Sequence, residues 1–111
     1  MEYRSPEEIS EEEAEAIFAT GEPSEICPAL ISVALHLPDR EWVEKHILAF
    51  LNHEDPDVRR CAAVSSGHMA RIHGAVGQGV LDALRLLLAD SAVSGAVEDA
   101  MDDIEMFARR A

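Results

Sequence analysis

Basic residues are scarce in this chain. Of its 111 residues, 9 are Lys or Arg against 22 Asp or Glu, a net charge of −13. Nucleic-acid binding draws its affinity from a basic face that displaces counterions, so this deficit excludes nucleic acid as a partner. It speaks equally against anionic membrane surfaces. Cysteine is scarce too. Two residues cannot build a disulfide framework, and a reducing, cytoplasmic setting is the expectation. Long apolar runs are missing: Leu84–Ala89 is broken by Arg85 and stops at Asp90, far short of the ~20 residues of a membrane helix. The start, Met1-Glu2-Tyr3-Arg4-Ser5-Pro6, lacks the basic and apolar regions of a signal peptide. No stretch alternates apolar with polar residues, which removes the signal for a half-buried strand.

What is present is apolar residue at helical spacing. Apolar types make up 48% of the chain, enough for one core, and a single domain over residues 1–111 is expected. The charge is unevenly spread: residues 1–25 carry net −8, residues 26–97 net −2 and residues 98–111 net −3. The near-neutral middle is where a core would lie, and the excess sits at both ends.

Six helices are predicted. Ser5-Pro6-Glu7-Glu8 reads as the start of the first, with Glu11, Glu12 and Glu13 in its interior and Gly21 as its stop. Ser24 is placed as cap of a second helix, running to about His36; its near-continuous apolarity predicts a central position. Pro28 is tolerated if it lies in the first turn. Asp39 caps a third helix, with Val43, Ile47, Leu48, Phe50 and Leu51 inward. Asp55-Pro56 opens a fourth, with Val58, Cys61, Ala62, Val64, Ser65, Met69 and Ile72 inward. Gly74, Gly77 and Gly79 lead into a fifth, packed through Val80, Leu81, Leu84, Leu87 and Leu88. Asp90-Ser91 caps the sixth, with Val93, Val97, Ala100, Met101, Ile104 and Phe107 inward.

A weak internal period accompanies these helices. Asp55-Pro56-Asp57-Val58 aligns with Asp90-Ser91-Ala92-Val93 at a shift of 35, and Cys27 with Cys61 at a shift of 34. The segment Asp55-Pro56-Asp57-Val58-Arg59-Arg60-Cys61-Ala62-Ala63-Val64-Ser65-Ser66-Gly67 resembles the first helix of a HEAT-type repeat, with its Asp-x-x-Val-Arg followed by small residues and a Gly. The resemblance implies an all-α fold, a short α-solenoid of about three antiparallel helix hairpins with polar helices capping its ends. It also implies that Arg59 bridges neighbouring repeats through an acidic loop residue. In the last repeat Ser94 and Gly95 stand where the Arg pair would lie.

Chemistry is sparse. His36, His46, His53, His68 and His73 include no pair at i, i+4, and Asp55 is better explained as a cap, so no metal site is predicted. Cys27 and Cys61 read as small buried residues. Gly77-Gln78-Gly79 has neither a preceding strand nor a following Lys-Ser/Thr, so it is no phosphate loop. An exposed row of carboxylates offers no asymmetry to separate an acid from a base. No enzyme activity and no cofactor are expected.

Surface residues therefore carry the functional expectation. Trp42 has two readings: packing over the first helix, or an anchor at a partner interface. Glu98, Asp99, Asp102, Asp103 and Glu105 are five acids in eight residues without a compensating base. They read either as a solvated end cap or as a binding face. In HEAT stacks the second helix of each hairpin lines the inner curve, which adds Glu41, Glu44 and Asp82. The chain is accordingly expected to be a protein-binding module. It resembles the small acidic helical immunity proteins that bacteria make beside secreted toxins, which implies occlusion of the active site of a basic, nuclease-like toxin. A generic HEAT-like adaptor subunit is the alternative. A pigment-lyase-type enzyme subunit and a HEAT-type DNA glycosylase are the remaining readings, the last opposed by the missing basic channel.

Overall fold

A computed structural model describes the backbone of residues 9–110 and the side chains of residues 9–108. Its order is α1 (Glu11–Thr20), α2 (Pro23–His36), α3 (Arg40–Leu51), α4 (Pro56–His73), β1 (Ala75–Val76), α5 (Gln78–Leu87), α6 (Ser94–Phe107) and β2 (Arg109–Arg110). The expected all-α character holds. The one departure is that β1 and β2 pair in parallel, Ala75 with Arg109 and Val76 with Arg110. Two residues per strand are too few to leave an alternating pattern in a sequence.

Local chemistry sets the helix ends. The predicted start at Ser5 lies outside the described residues. The described α1 begins after Ser10, whose hydroxyl accepts from Glu13 N–H at 3.1 Å while Glu13 accepts from Ser10 N–H at 3.0 Å. Glu11, Glu12 and Glu13 thus occupy the first turn and not the interior, where their charge favours the positive helix end. α2 starts one residue before the predicted cap Ser24: Pro23 is its first residue, and Glu22 N–H donates to Glu25 at 3.0 Å. Pro28 is therefore in the second turn, and the carbonyl of Ser24 has no helical N–H to accept from. Asp39 and Asp55 cap α3 and α4 as predicted, accepting from Trp42 N–H and Asp57 N–H. Asp90 takes Ala92 N–H on its side chain and Ser94 N–H on its carbonyl, shaping the turn before α6. Gly74 ends α4 in the left-handed region, φ 68°, which glycine adopts without a Cβ clash.

The central helix is α4, not α2. It lies between α2 and α6 and also packs on α3. Ala62, Ala63, Ser65, Ser66, Gly67, Met69 and Ala70 are all buried, so the helix is covered on nearly every side. A second row runs beside the first: α5 packs on α3, and α1 meets α3 through Phe18 and Trp42. Pairs about 34 residues apart touch repeatedly. Glu44 meets Gly77, Arg60 meets Ala92, and Gly67 faces Ala100 and Asp103. Helices α4 and α6 therefore run side by side in the same direction, continued by the parallel β1–β2 pair.

Periodicity misplaces a few residues. Leu48, Val64, Ile72, Leu88 and Phe107 are exposed and not inward. Core filling falls also to Ala63, Ser66, Gly67 and Ala70 of α4 and to Val76, while Val93 is buried as predicted.

Small residues matter most at Gly67. A Cβ there would lie 2.9 Å from Asp103 Oδ2 and 3.5 Å from the Cα of Ala100. Gly67→Val, which drives a branched side chain into that seam, is expected to lower the unfolding free energy by about 1–3 kcal/mol. Gly95→Ala, in open space on α6, is expected to raise it by about 0.4–1 kcal/mol. Urea denaturation of both variants measures the contrast.

Candidate partner-binding surface

The acids of α6 divide by helical position. Its buried face is Val97, Ala100 and Ile104. Glu98, Asp102 and Glu105, spaced four and three apart, form one exposed row; Asp99 and Asp103 form the next, with Asp103 half-buried against α4 beside Gly67. Among the described residues, no base pairs with any of the five.

Beside that row lies a cavity of about 500 Å³ between α5 and α6. Its walls are Val76, Leu81, Met101, Ile104 and Ala108, with Arg85 and Glu105 at its polar edge. Asp82, exposed on α5, holds Arg85 at 3.5 Å and accepts from Gln78 at 2.9 Å. The structure thus brings Asp82, through Arg85, and Glu105 to one groove. Met106 and Phe107, at the end of α6, are 74% and 47% exposed. The sequence names Leu81, Met101, Ile104 and Phe107 only as inward packing residues, and Val76, Met106 and Ala108 not at all. A Met-Phe pair closing an acidic helix is the local signal that marks Met106 and Phe107.

The α3 residues are engaged elsewhere. Glu44 accepts Gly77 N–H at 2.9 Å and pairs with Arg40 at 3.3 Å, so it ties α3 to the start of α5. Trp42 packs over α1. Its indole N–H donates to Glu15 at 3.1 Å, and its ring lies against Phe18 and His46, with centroids 6.4 and 4.4 Å away. Phe50 extends the cluster, edge-on to Phe18 at 5.0 Å. Glu41 is exposed on the same helix.

Arg59 links successive turns of the fold. It donates to the carbonyls of His53 and Glu54 at 2.8 and 2.9 Å and pairs with Asp90 at 2.9 Å, joining the α3–α4 turn to the α5–α6 turn. This is the contact that the repeat resemblance implied. Arg60 pairs with Asp57 at 2.7 Å and donates to the Ala92 carbonyl at 3.0 Å.

Among the described residues, no catalytic constellation stands out. Cys27 and Cys61 meet across α2 and α4, and the Cys27 thiol donates to the Asp57 carbonyl at 3.6 Å. Burial, then the Cys61 hydrogen bond and charge, then Asp57 and Asp55 push the Cys27 pKa up to about 12, which keeps it a protonated, unreactive thiol at neutral pH. Among the described residues, no group of three or more His, Cys, Asp or Glu is placed to hold a metal, and no helix is long and apolar enough to cross a membrane.

His46 and His68 carry the pH response. Burial, reinforced by Lys45, lowers the His46 pKa below its ordinary 6.5 against an opposing pull from Glu15. Burial and Arg71 lower His68 in the same way against Asp103. The unfolded chain therefore takes up these protons first as pH falls, and stability is lost from about 6.5 downward until the folded-state values are passed. The urea midpoint is expected to fall between pH 7.5 and pH 5.5, and His46→Gln is expected to shrink that fall.

A chain in the crystal structure of the CDI complex from Cupriavidus taiwanensis LMG 19424 is similar to this one. The likeness covers 96% of this chain and 97% of that chain, with a TM-score of 0.82 and 32% sequence identity. No family model matches the chain, and no curated protein does.

Proposed function

Since the chain belongs to the same family as that chain of the CDI complex, we propose that it is an immunity protein, one that binds and neutralises a protein toxin of contact-dependent inhibition. The near full-length likeness carries this reading. A binding role also agrees with a surface that bears unpaired charge and exposed apolar groups but no reactive cluster. The parallel contacts about 34 residues apart, and the Arg59–Asp90 bridge between turns, support reading α2–α3, α4–α5 and the last repeat that α6 opens as a short HEAT-like solenoid.

The toxin in this proposal is basic and nuclease-like. A cleft that grips phosphate is positive, and a chain of net −13 attracts it at a steered rate and fills it with carboxylates. Neutralisation takes place in the cytoplasm, where a nuclease would find its substrate. Inhibition is by occlusion, without chemistry.

The test is direct. The chain is co-expressed with the product of the adjacent gene and assayed for rescue of growth, complex formation and association rate. Stable complex, rescue, and a rate that falls steeply between 50 and 500 mM salt (roughly tenfold or more) are expected. Absence of binding overturns the immunity reading. Binding whose rate ignores salt overturns the basic-toxin reading and leaves immunity standing.

A further inference from the structure

We propose that the groove between α5 and α6, together with the outward row of α6, is the surface that receives the toxin. The toxin presents to it an apolar side chain flanked by lysine or arginine. This deepens the immunity reading and rests on it.

The groove supplies the apolar half. Its volume of about 500 Å³ admits a large side chain, and Leu81, Met101 and Ile104 offer it hydrocarbon contact. Met106 and Phe107 extend apolar surface at the open end of the same helix, where solvent-facing apolar groups of this size are otherwise a liability.

The charges supply the basic half. α6 carries no acid in its first turn, where the helix dipole would favour one, and no base in its last turn, where one would balance the carbonyls. Its acids stand instead in the middle and second half, repelling one another at three- and four-residue spacing. The fold gains nothing from that placement. Several acids elsewhere have protein partners: Asp90 holds Arg59, Asp57 holds Arg60 and Glu44 holds Gly77 and Arg40. On the groove's other edge the Arg85 charge is already met by Asp82. With no base paired to them among the described residues, Glu98, Asp102 and Glu105 are open to an incoming cation, and Glu105 borders the apolar cavity. A second copy of this chain would bring like charge to the row, so the complementarity selects a basic partner.

Three variants of the full chain decide it, measured against the catalytically inactivated toxin domain encoded beside it. The triple variant Glu98→Gln, Asp102→Asn, Glu105→Gln is expected to weaken binding by about 30-fold, mostly through a slower on-rate, and to flatten its salt dependence. Glu105→Arg, at the groove edge, is expected to weaken it at least as much. Glu11→Gln, Glu12→Gln, Glu54→Gln removes equal charge from other surfaces and is expected to shift binding less than about threefold. Circular dichroism confirms that each variant is folded. If the wild-type chain binds and both α6 variants bind as tightly, the surface is wrong and the immunity reading stands. Equal losses in the α6 triple and the control triple also overturn it, because net charge alone would then be responsible. A wild-type dimer that Glu105→Arg dissociates overturns it in favour of self-association. No binding by the wild-type chain overturns the immunity reading and this surface with it.

Discussion

The close approach of three helices along α4 is the constraint on which the rest depends. α2 and α6 lie near enough to α4 that most of its inner positions are Ala, Ser or Gly, and at Gly67 even one carbon would crowd Asp103. A helix surrounded in this way has little free surface, so the large side chains of the core come mainly from its neighbours: Leu30 and Val33 from α2, Ile47 and Leu51 from α3, Leu84 from α5, Val97 from α6. Interiors packed at crystal-like density do not absorb an added methyl group by yielding. Small residues at α4 are thus what holds the rows in register.

Register is then locked by polar contacts that jump about thirty residues. Arg59 reads the α5–α6 turn through Asp90, Arg60 reaches the Ala92 carbonyl, and Glu44 catches Gly77 N–H. Each of these ties one helix or turn to another some thirty residues further along the chain. None is a deep ion pair; their value lies in direction more than in energy, because each is satisfied at one stagger of the helices only.

How much of this could be read beforehand follows from range. Caps are local, and Asp39 and Asp55 perform as their neighbours suggested. Ser10 was overlooked because Ser5-Pro6 offers an equally good start signal nearby. Periodicity identified the helices but not their neighbours. Val64 and Ile72 lie at apolar positions of α4 that no other helix covers, and Phe107 falls just past the end of the supporting row. The tightness at Gly67 belongs to two helices at once and has no trace in either alone. Among the candidate surface residues, the acids of α6 were legible as a charge run. Their association with a cavity was not, since Leu81, Arg85, Met101 and Glu105 converge only after α5 folds back on α6. Glu44 and Trp42 are the converse case. Glu44 looks available in sequence and Trp42 leaves packing and binding both open, and both are held by contacts across more than 25 positions, Trp42 in its packing role over α1.

The aromatic cluster has a practical corollary. The chain has a single tryptophan, and its indole is enclosed by Glu15 and Phe18 of α1 and by His46 of its own helix. Emission from that one fluorophore therefore monitors whether α1 is docked, at the end of the molecule remote in sequence from α6. Events confined to the groove leave it unchanged. The protein carries a native optical gauge of one terminus, against which disturbance at the other can be recognised as separate.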